Sequence, residues 1–195
     1  MGKELINGSP IRQDFFETAL KWISRSQSTP SQRLTIEGYM AKHQHDPNAL
    51  QLWQYFVAVI TWVTATFDIG KRKKIMKGVD WGLLYDEHHE RILDKSQLEK
   101  EISRLVLDSE VQNKKGICPY VLNRDERELG LRAFPDDIKL AVYEQQFGIC
   151  PICGEHYEFE QMEGDHITPW REGGKTVVEN CQMLCRDCNR RKGAK

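Results

Sequence analysis

The sequence predicts an α+β protein in which a mainly helical N-terminal region is followed by a small domain built around cysteines. Two observations carry this prediction. Apolar residues recur at helical spacing through residues 9–112, and two Cys-x-x-C pairs stand near the C-terminus with 31 residues between them. The length of 195 residues suits one medium domain or two small ones. We therefore predict a helical domain at 1–112, a connector at 113–133 and a second domain at 134–195.

The composition predicts a soluble, folded chain without a membrane partner. The formal net charge is −1 and 39% of the residues are hydrophobic, so any nucleic-acid surface must come from local clusters of basic residues. The longest apolar run, "LWQYFVAVITWVTATF" at 52–67, is shorter than the roughly 20 residues that a bilayer requires. This run predicts a buried core helix. No secretory signal is visible at the N-terminus, and we expect a cytoplasmic protein.

Helix starts and basic residues divide the N-terminal region further. Asp46-Pro47 predicts the start of the apolar helix, and Ser96 with Glu99 predicts a capping box at the start of a later one. The run "KRKKIMK" at 71–77 is typical of a solvated helix end, although a surface that faces phosphate is the alternative. Residues 113–137 contain prolines and glycines without sustained periodicity, which favours a connector.

A short helix begins the C-terminal region. Asp136 starts it and Gly148 ends it, and Ile138, Val142 and Phe147 are expected to pack it onto the residues that follow.

The paired cysteines then predict a metal site. Cys150 and Cys153 form one pair and Cys185 and Cys188 the other, and four thiolates from two such turns make a closed tetrahedral zinc site. One Cys-x-x-C could be a redox motif, but two pairs at this separation favour structural zinc. The remaining cysteines, Cys118 and Cys181, are interpreted as small buried hydrophobes.

The segment between the pairs carries the residues that suggest an activity. "DHITPW…GG…N…LCRDCNRRKG" resembles the motif of HNH endonucleases, in the variety whose ββα-metal fold is clasped by two zinc knuckles, and the resemblance covers about the last 50 residues. His166, Asn180 and Asn189 take the three named positions. A neutral imidazole can accept a proton from water near pH 7, so His166 is the expected general base.

The resemblance also implies roles for the residues around His166. It implies that Asp165 and Asn189 hold a single Mg²⁺ or Mn²⁺ against the scissile phosphate, and that Asn180 holds the loop after His166. Lys192 lies three residues past Asn189 and is expected to contact phosphate. Two further basic residues are assigned to substrate binding with it, Arg190 and Arg191.

The N-terminal region has its own resemblance. "IRQDFFETALKWIS", "KHQHDPNA" and "GLRAFPDD", followed by the HNH motif, are similar to the C-terminal half of larger bacterial proteins. Those proteins begin with a ParB-like domain that bears an Asp-Gly-Gln-Gln-Arg signature, and some relatives are modification-dependent restriction enzymes. The 195 residues do not contain that signature. We expect either a piece of such a protein or a stand-alone version.

The leading hypothesis is therefore a metal-dependent HNH endonuclease that hydrolyses DNA, with restriction or antiviral phage defence as its setting. The alternative is a zinc-dependent module that binds DNA or a protein partner and has weak or no nuclease activity. A purely structural zinc domain is the third hypothesis. A homodimer or a partner subunit bound through the helical region is left open.

Overall fold

In the computed structural model of the chain, the described residues are 4–6, 12–28 and 34–193. They form helices and one antiparallel two-stranded sheet, in the order α1 Arg12–Ser26, α2 Ile36–His43, α3 Leu50–Thr66, α4 Ile69–Met76, α5 Trp81–His88, α6 Lys95–Leu107, α7 Ile117–Asn123, α8 Asp136–Gln145, β1 Met162–His166, β2 Cys181–Cys185 and α9 Arg186–Gly193. The predicted fold class is confirmed. The contacts within the chain divide it into two compact units, unit 1 Met1–Gly130 and unit 2 Leu131–Lys195.

Unit 1 is held by apolar helix faces. Helices α1, α3 and α5 pack against one another, and Ile60, Val63 and Trp81 are almost completely buried between them. The approach of α1 to α5 is so close that a Cβ on Gly82 would overlap the Trp22 side chain. The apolar run at 52–67 is therefore a core helix, as its length predicts.

Helix α3 has the length and hydropathy of a membrane span only when it is taken together with α4. Among the described residues, no single helix is long and apolar enough to cross a bilayer. Leu50–Thr66 and Ile69–Met76 pass together, but they are bent by 118° at the break between them.

Two of the predicted helix starts are wrong. Helix α3 begins at Leu50, whose N–H donates to the Asn48 side chain at 3.0 Å, rather than at Asp46-Pro47. Helix α6 is capped by Asp94, which accepts from two backbone N–H groups, rather than by Ser96. Glu99 cannot serve as the capping-box partner because its oxygens accept from the Asp68 backbone and from a side chain of α4. Glu99 thus makes long-range contacts with Asp68 and Arg72 instead of the predicted local contact with the helix start.

Residues 113–130 differ from the predicted connector. They fold as two short 3-10 turns around α7, and Ile117, Cys118 and Leu129 are completely buried inside unit 1. The prolines and glycines in this segment shape tight turns instead of a linker. A Cβ on Gly116, for example, would overlap the Glu128 carbonyl group. The structural division lies after Gly130, not at 112 or 134.

Much of the basic run at 71–77 pairs with carboxylates of unit 1. Lys71 is 3.4 Å from Asp68, Arg72 is 3.4 Å from Glu99, and Lys73 pairs with Glu4. These pairs favour the solvated-helix interpretation over a phosphate-facing surface.

Unit 2 consists of α8, the turn that carries Cys150 and Cys153, the β1–β2 hairpin and α9. The hairpin pairs Met162 with Cys185 at one end and His166 with Cys181 at the other. Gln146, just after α8, fixes β2 by accepting from the Met183 N–H at 2.7 Å and donating to its carbonyl at 3.0 Å. Val142 of α8 is buried in the core as predicted, but the prediction for Phe147 is wrong, since its side chain is 80% exposed. Phe147 has a φ of 53°, which turns the chain out of the helix.

Candidate functional site

Four cysteines meet at one point in unit 2. Their sulfur atoms all lie within 4.8 Å of one another, and three of the four side chains are buried. A zinc tetrahedron with Zn–S bonds of about 2.3 Å has sulfur atoms roughly 3.8 Å apart, so the cluster needs little contraction to hold the ion. The cluster consists of the two predicted pairs, Cys150, Cys153, Cys185 and Cys188.

Backbone N–H groups in the turns favour the thiolates of Cys150 and Cys185, whereas burial raises the pKa of Cys188 to about 12. Burial opposes ionisation of Cys150, yet backbone N–H groups of Cys153, Cys185 and Ile152 outweigh it and lower its pKa to about 6. Gly154, with a φ of 77°, closes the first turn by donating its N–H to the Cys150 carbonyl at 2.8 Å. The donor set and its environment therefore suit a soft, thiolate-binding ion such as zinc.

Arg191 lies against the cluster. Its Nη2 donates to the sulfur of Cys188 at 3.2 Å, and this contact raises the pKa of the guanidinium. Four thiolates around one divalent ion leave a net negative charge, which a guanidinium can partly offset. Of the other cysteines, Cys181 is buried at the start of β2 with a pKa raised to about 11, and Cys118 is buried in unit 1; neither joins the cluster.

One face of β1 meets α9. The ammonium of Lys192 donates to Asp165 Oδ2 and, at 2.6 Å, to the backbone carbonyl of His166. Gln182 of β2 donates to the same carboxylate oxygen at 2.9 Å. Lys192 was expected to contact phosphate, but here it binds a predicted metal ligand. Its contact with phosphate stays a prediction.

Asn189 reaches the same strand from α9. Its Nδ2 donates to Glu163 Oε2 at 2.6 Å. Glu163 and Asp165 are two residues apart on β1, so their side chains share the face that α9 covers. Three predicted site residues, Asp165, Asn189 and Lys192, thus lie where α9 meets β1. Glu163 lies there too, and the sequence analysis missed it.

His166 points to different partners. Its ring lies 4.3 Å from that of Phe134, centroid to centroid, and its Nε2 is 3.1 Å from the hydroxyl of Thr176. That hydroxyl donates to the Arg132 carbonyl at 3.2 Å. Because a carbonyl can only accept, the Thr176 oxygen must accept from His166, and Nε2 must carry the proton. Nδ1 is then the basic nitrogen of the ring.

Asn180 holds the loop that follows His166. Its Oδ1 accepts from the Thr168 N–H at 2.8 Å, and its Nδ2 donates to the carbonyls of Thr168 at 3.1 Å and Lys175 at 3.0 Å. Gly174 permits this arrangement, because a Cβ there would overlap the Thr168 carbonyl oxygen and lie 2.8 Å from Asn180 Nδ2. The side-chain amide of Asn180 therefore bonds to both ends of this loop, at Thr168 and at Lys175.

The two arginines of α9 have different surroundings. Arg190 is 76% exposed and pairs with Asp187 at 3.1 Å, whereas Arg191 contacts the cysteine cluster. The side chains of both arginines are exposed, but only Arg191 donates to a sulfur of the cysteine cluster. Both assignments to substrate stay predictions.

The residues on the α9 face of β1 fit a hard divalent cation. They offer a carboxylate oxygen from Asp165 and an amide oxygen from Asn189, which are the ligand types that Mg²⁺ and Mn²⁺ take. The Lys192 ammonium already pairs with Asp165, so a cation that binds this carboxylate has to displace it.

Two site residues were missed for different reasons. Strand periodicity could have placed Glu163 on the same face as Asp165, since it stands two positions before Asp165. Thr176 had no signal in the sequence, because only the folded loop brings it to His166.

Comparison with known proteins agrees with this geometry. Residues 150–195 match the model of the HNH endonuclease family. The chain is also 26% identical over 103 residues to the type IV methyl-directed restriction enzyme EcoKMcrA of Escherichia coli strain K12, a match that covers 50% of this chain and 36% of the relative. No solved structure matches the chain. Residues 150–195 are therefore similar to HNH endonuclease domains, and the chain spans about a third of the length of the restriction enzyme that it matches.

Proposed function

We propose that unit 2 is a metal-dependent endonuclease that hydrolyses DNA phosphodiester bonds. The observation that carries the proposal is the β1–β2–α9 arrangement in which Asp165 and Asn189 share one face while His166 is fixed at the end of the same strand. A binding module has no need of a carboxylate, an amide and an oriented imidazole at one strand end. The four-cysteine site acts as structural zinc in this proposal.

His166 serves as the general base. Thr176 fixes the ring with the proton on Nε2, so Nδ1 is the atom that accepts the proton from the attacking water. Asn180 supports this geometry at a distance, because it holds the loop that runs from His166 towards Thr176. These residues orient the base before substrate arrives.

Asp165 and Asn189 would hold a divalent cation, Mg²⁺ or Mn²⁺, at the face of β1 that α9 covers. When bound, this ion neutralises charge on the scissile phosphate and assists departure of the 3′ oxygen. Lys192 must then exchange its contact with Asp165 for another anion, and a phosphate oxygen of the substrate is the natural replacement.

The setting that we propose is restriction of foreign DNA. The support is the similarity to EcoKMcrA, which is named as a methyl-directed restriction enzyme. Unit 1 would then contribute recognition of the DNA or of a partner subunit. Because the match covers 36% of the relative, preference for methylated DNA is a separate part of the proposal and needs its own test.

The experiment is cleavage of supercoiled plasmid by the whole chain. Methylated and unmethylated plasmids are incubated with Mg²⁺, with Mn²⁺ or with EDTA. We expect nicking or linearisation with either ion and none with EDTA. Cleavage that EDTA leaves unchanged would contradict the metal-dependent mechanism, and equal cleavage of both plasmids would contradict methyl preference alone.

One observation favours the second candidate, a DNA-binding or partner-binding module. The Lys192 ammonium already pairs with Asp165, and a permanent ion pair of this kind would exclude a metal cation from that carboxylate. If the whole chain retards DNA in a gel but cuts neither plasmid with either ion, the binding module becomes the better account.

A further inference from the structure

The amide of Asn189 has a defined orientation. Its Nδ2 donates to Glu163 Oε2 at 2.6 Å. A carboxylate can only accept, so the edge of the amide that faces Glu163 must be the NH₂ group. Since the two ends of an amide diverge from one carbon atom, Oδ1 is turned away from Glu163.

This orientation matters for a metal ligand. An amide has nearly the same shape at its oxygen and nitrogen ends, and a half-turn about the last side-chain bond exchanges them. Mg²⁺ and Mn²⁺ take the oxygen, whereas an NH₂ group aimed at the ion would repel it. Asparagine can therefore serve as a ligand only if something selects which end is presented.

Glu163 is itself held in place. Arg186, the first residue of α9, has its Nε 3.9 Å from Glu163 Oε1 and donates through Nη2 to the Glu160 carbonyl at 2.8 Å. The two oxygens of Glu163 are thus divided between Arg186 and Asn189, which lie three residues apart on one face of α9. The Glu163 carboxylate thus has a second contact, with Arg186, besides its hydrogen bond with the Asn189 amide.

We propose that Glu163 is a positioning residue that holds the Asn189 amide with Oδ1 directed to the cation bound with Asp165. This inference rests on the proposed function. Glu163 acts through Asn189 in this account and is not a ligand.

The test is a titration of the whole chain with Mn²⁺, in which free Mn²⁺ is measured by electron paramagnetic resonance. Glu163→Ala should weaken Mn²⁺ binding by about fivefold, the effect of one net hydrogen bond. Glu163→Gln keeps an acceptor oxygen for Asn189 and should retain most of the affinity. Zinc content, measured on every variant, should stay unchanged because Glu163 lies outside the cysteine cluster.

The Asn189→Asp variant provides a second background in which the positioning role of Glu163 can be tested. A carboxylate presents oxygen whichever way it turns, so there is nothing left for Glu163 to select. In Asn189→Asp protein, adding Glu163→Ala should therefore lower Mn²⁺ affinity less than it does in the parent, because only the charge of Glu163 is lost there and not the selection of the amide end.

The outcomes separate the inference from the function on which it rests. An equal loss of affinity in both backgrounds, or no loss in either, overturns the positioning role while the nuclease proposal stands. If the parent chain binds no Mn²⁺ at all, the proposed function fails and the inference fails with it.

Discussion

The two units of this chain are stabilised in different ways. Unit 1 packs α1, α3 and α5 through large apolar side chains such as Trp81 and Ile60. Among the described residues of unit 2, one core cluster contains nine buried residues, of which four are cysteines: Phe134, Val142, Cys150, Met162, Cys181, Met183, Leu184, Cys185 and Cys188. Three of those cysteines belong to the metal cluster. In unit 2 three of the four proposed zinc ligands are themselves core residues, so the proposed catalytic surface would depend on the zinc ion.

The largest expected effect comes from opening the cluster. Cys185→Ser should release zinc and unfold unit 2, because a structural zinc site contributes about 10–16 kcal/mol of folding free energy. The helices of unit 1 should persist in circular dichroism, and inactivity should follow from the unfolding.

Cys181→Ser is the matched control. It also replaces a buried cysteine of β2, but Cys181 lies outside the cluster, so this variant should keep about one zinc ion per chain. Zinc is counted by elemental analysis. Equal zinc loss in both variants would contradict the assignment of the four ligands.

A smaller effect is expected at the loop after His166. Gly174→Ala should slow cleavage by about a hundredfold, because the new Cβ overlaps the Thr168 carbonyl and displaces the loop that Asn180 holds. Gly193→Ala is the control, since a Cβ there meets nothing within 4 Å. Single-turnover cleavage rates compare the two, and similar rates would show that the loop geometry is unimportant.

Loss of the Thr176 hydroxyl should have a more modest consequence. Thr176→Val removes the acceptor for His166 Nε2 and should lower the cleavage rate by about tenfold, while Thr176→Ser should restore it. Zinc content should not change in either variant. Failure of the serine to rescue would assign Thr176 to packing, since its side chain is buried.

The smallest effect concerns DNA binding by the two units. Arg190→Ala should reduce the salt dependence of DNA affinity by roughly one phosphate contact, a slope change of about 0.9. Lys73→Ala, in the basic run of α4, should leave the slope unchanged, because Lys73 pairs with Glu4 of unit 1. A slope change in Lys73→Ala alone would move the DNA surface to unit 1.

Sequence patterns predicted the features that depend on local spacing. Each Cys-x-x-C turn brings its own two sulfur atoms together by local spacing, and the 16-residue apolar run predicted a core helix because it is too short to cross a bilayer. The start of α6 could not be predicted in the same way, because Glu99 contacts the Asp68 backbone and Arg72 from distant parts of the chain.

The same limit applies to the candidate site. Asp165, His166 and Asn189 follow from a motif, but no motif marks Glu163, which contacts Asn189, or Thr176, which contacts His166. Helical spacing placed Lys192 on the Asn189 face of α9, but spacing alone did not indicate its partner, which in the structure is the carboxylate of Asp165.

The most direct test of the central claim is the cleavage rate of His166→Ala. General-base loss should slow plasmid cleavage in Mg²⁺ by about 10²–10⁴-fold while zinc content, circular dichroism and DNA affinity stay at parental values. His156→Ala, which replaces an exposed histidine of the same unit outside the site, should cut at the parental rate. Parental cleavage by His166→Ala would contradict the account and favour a zinc-clasped binding module.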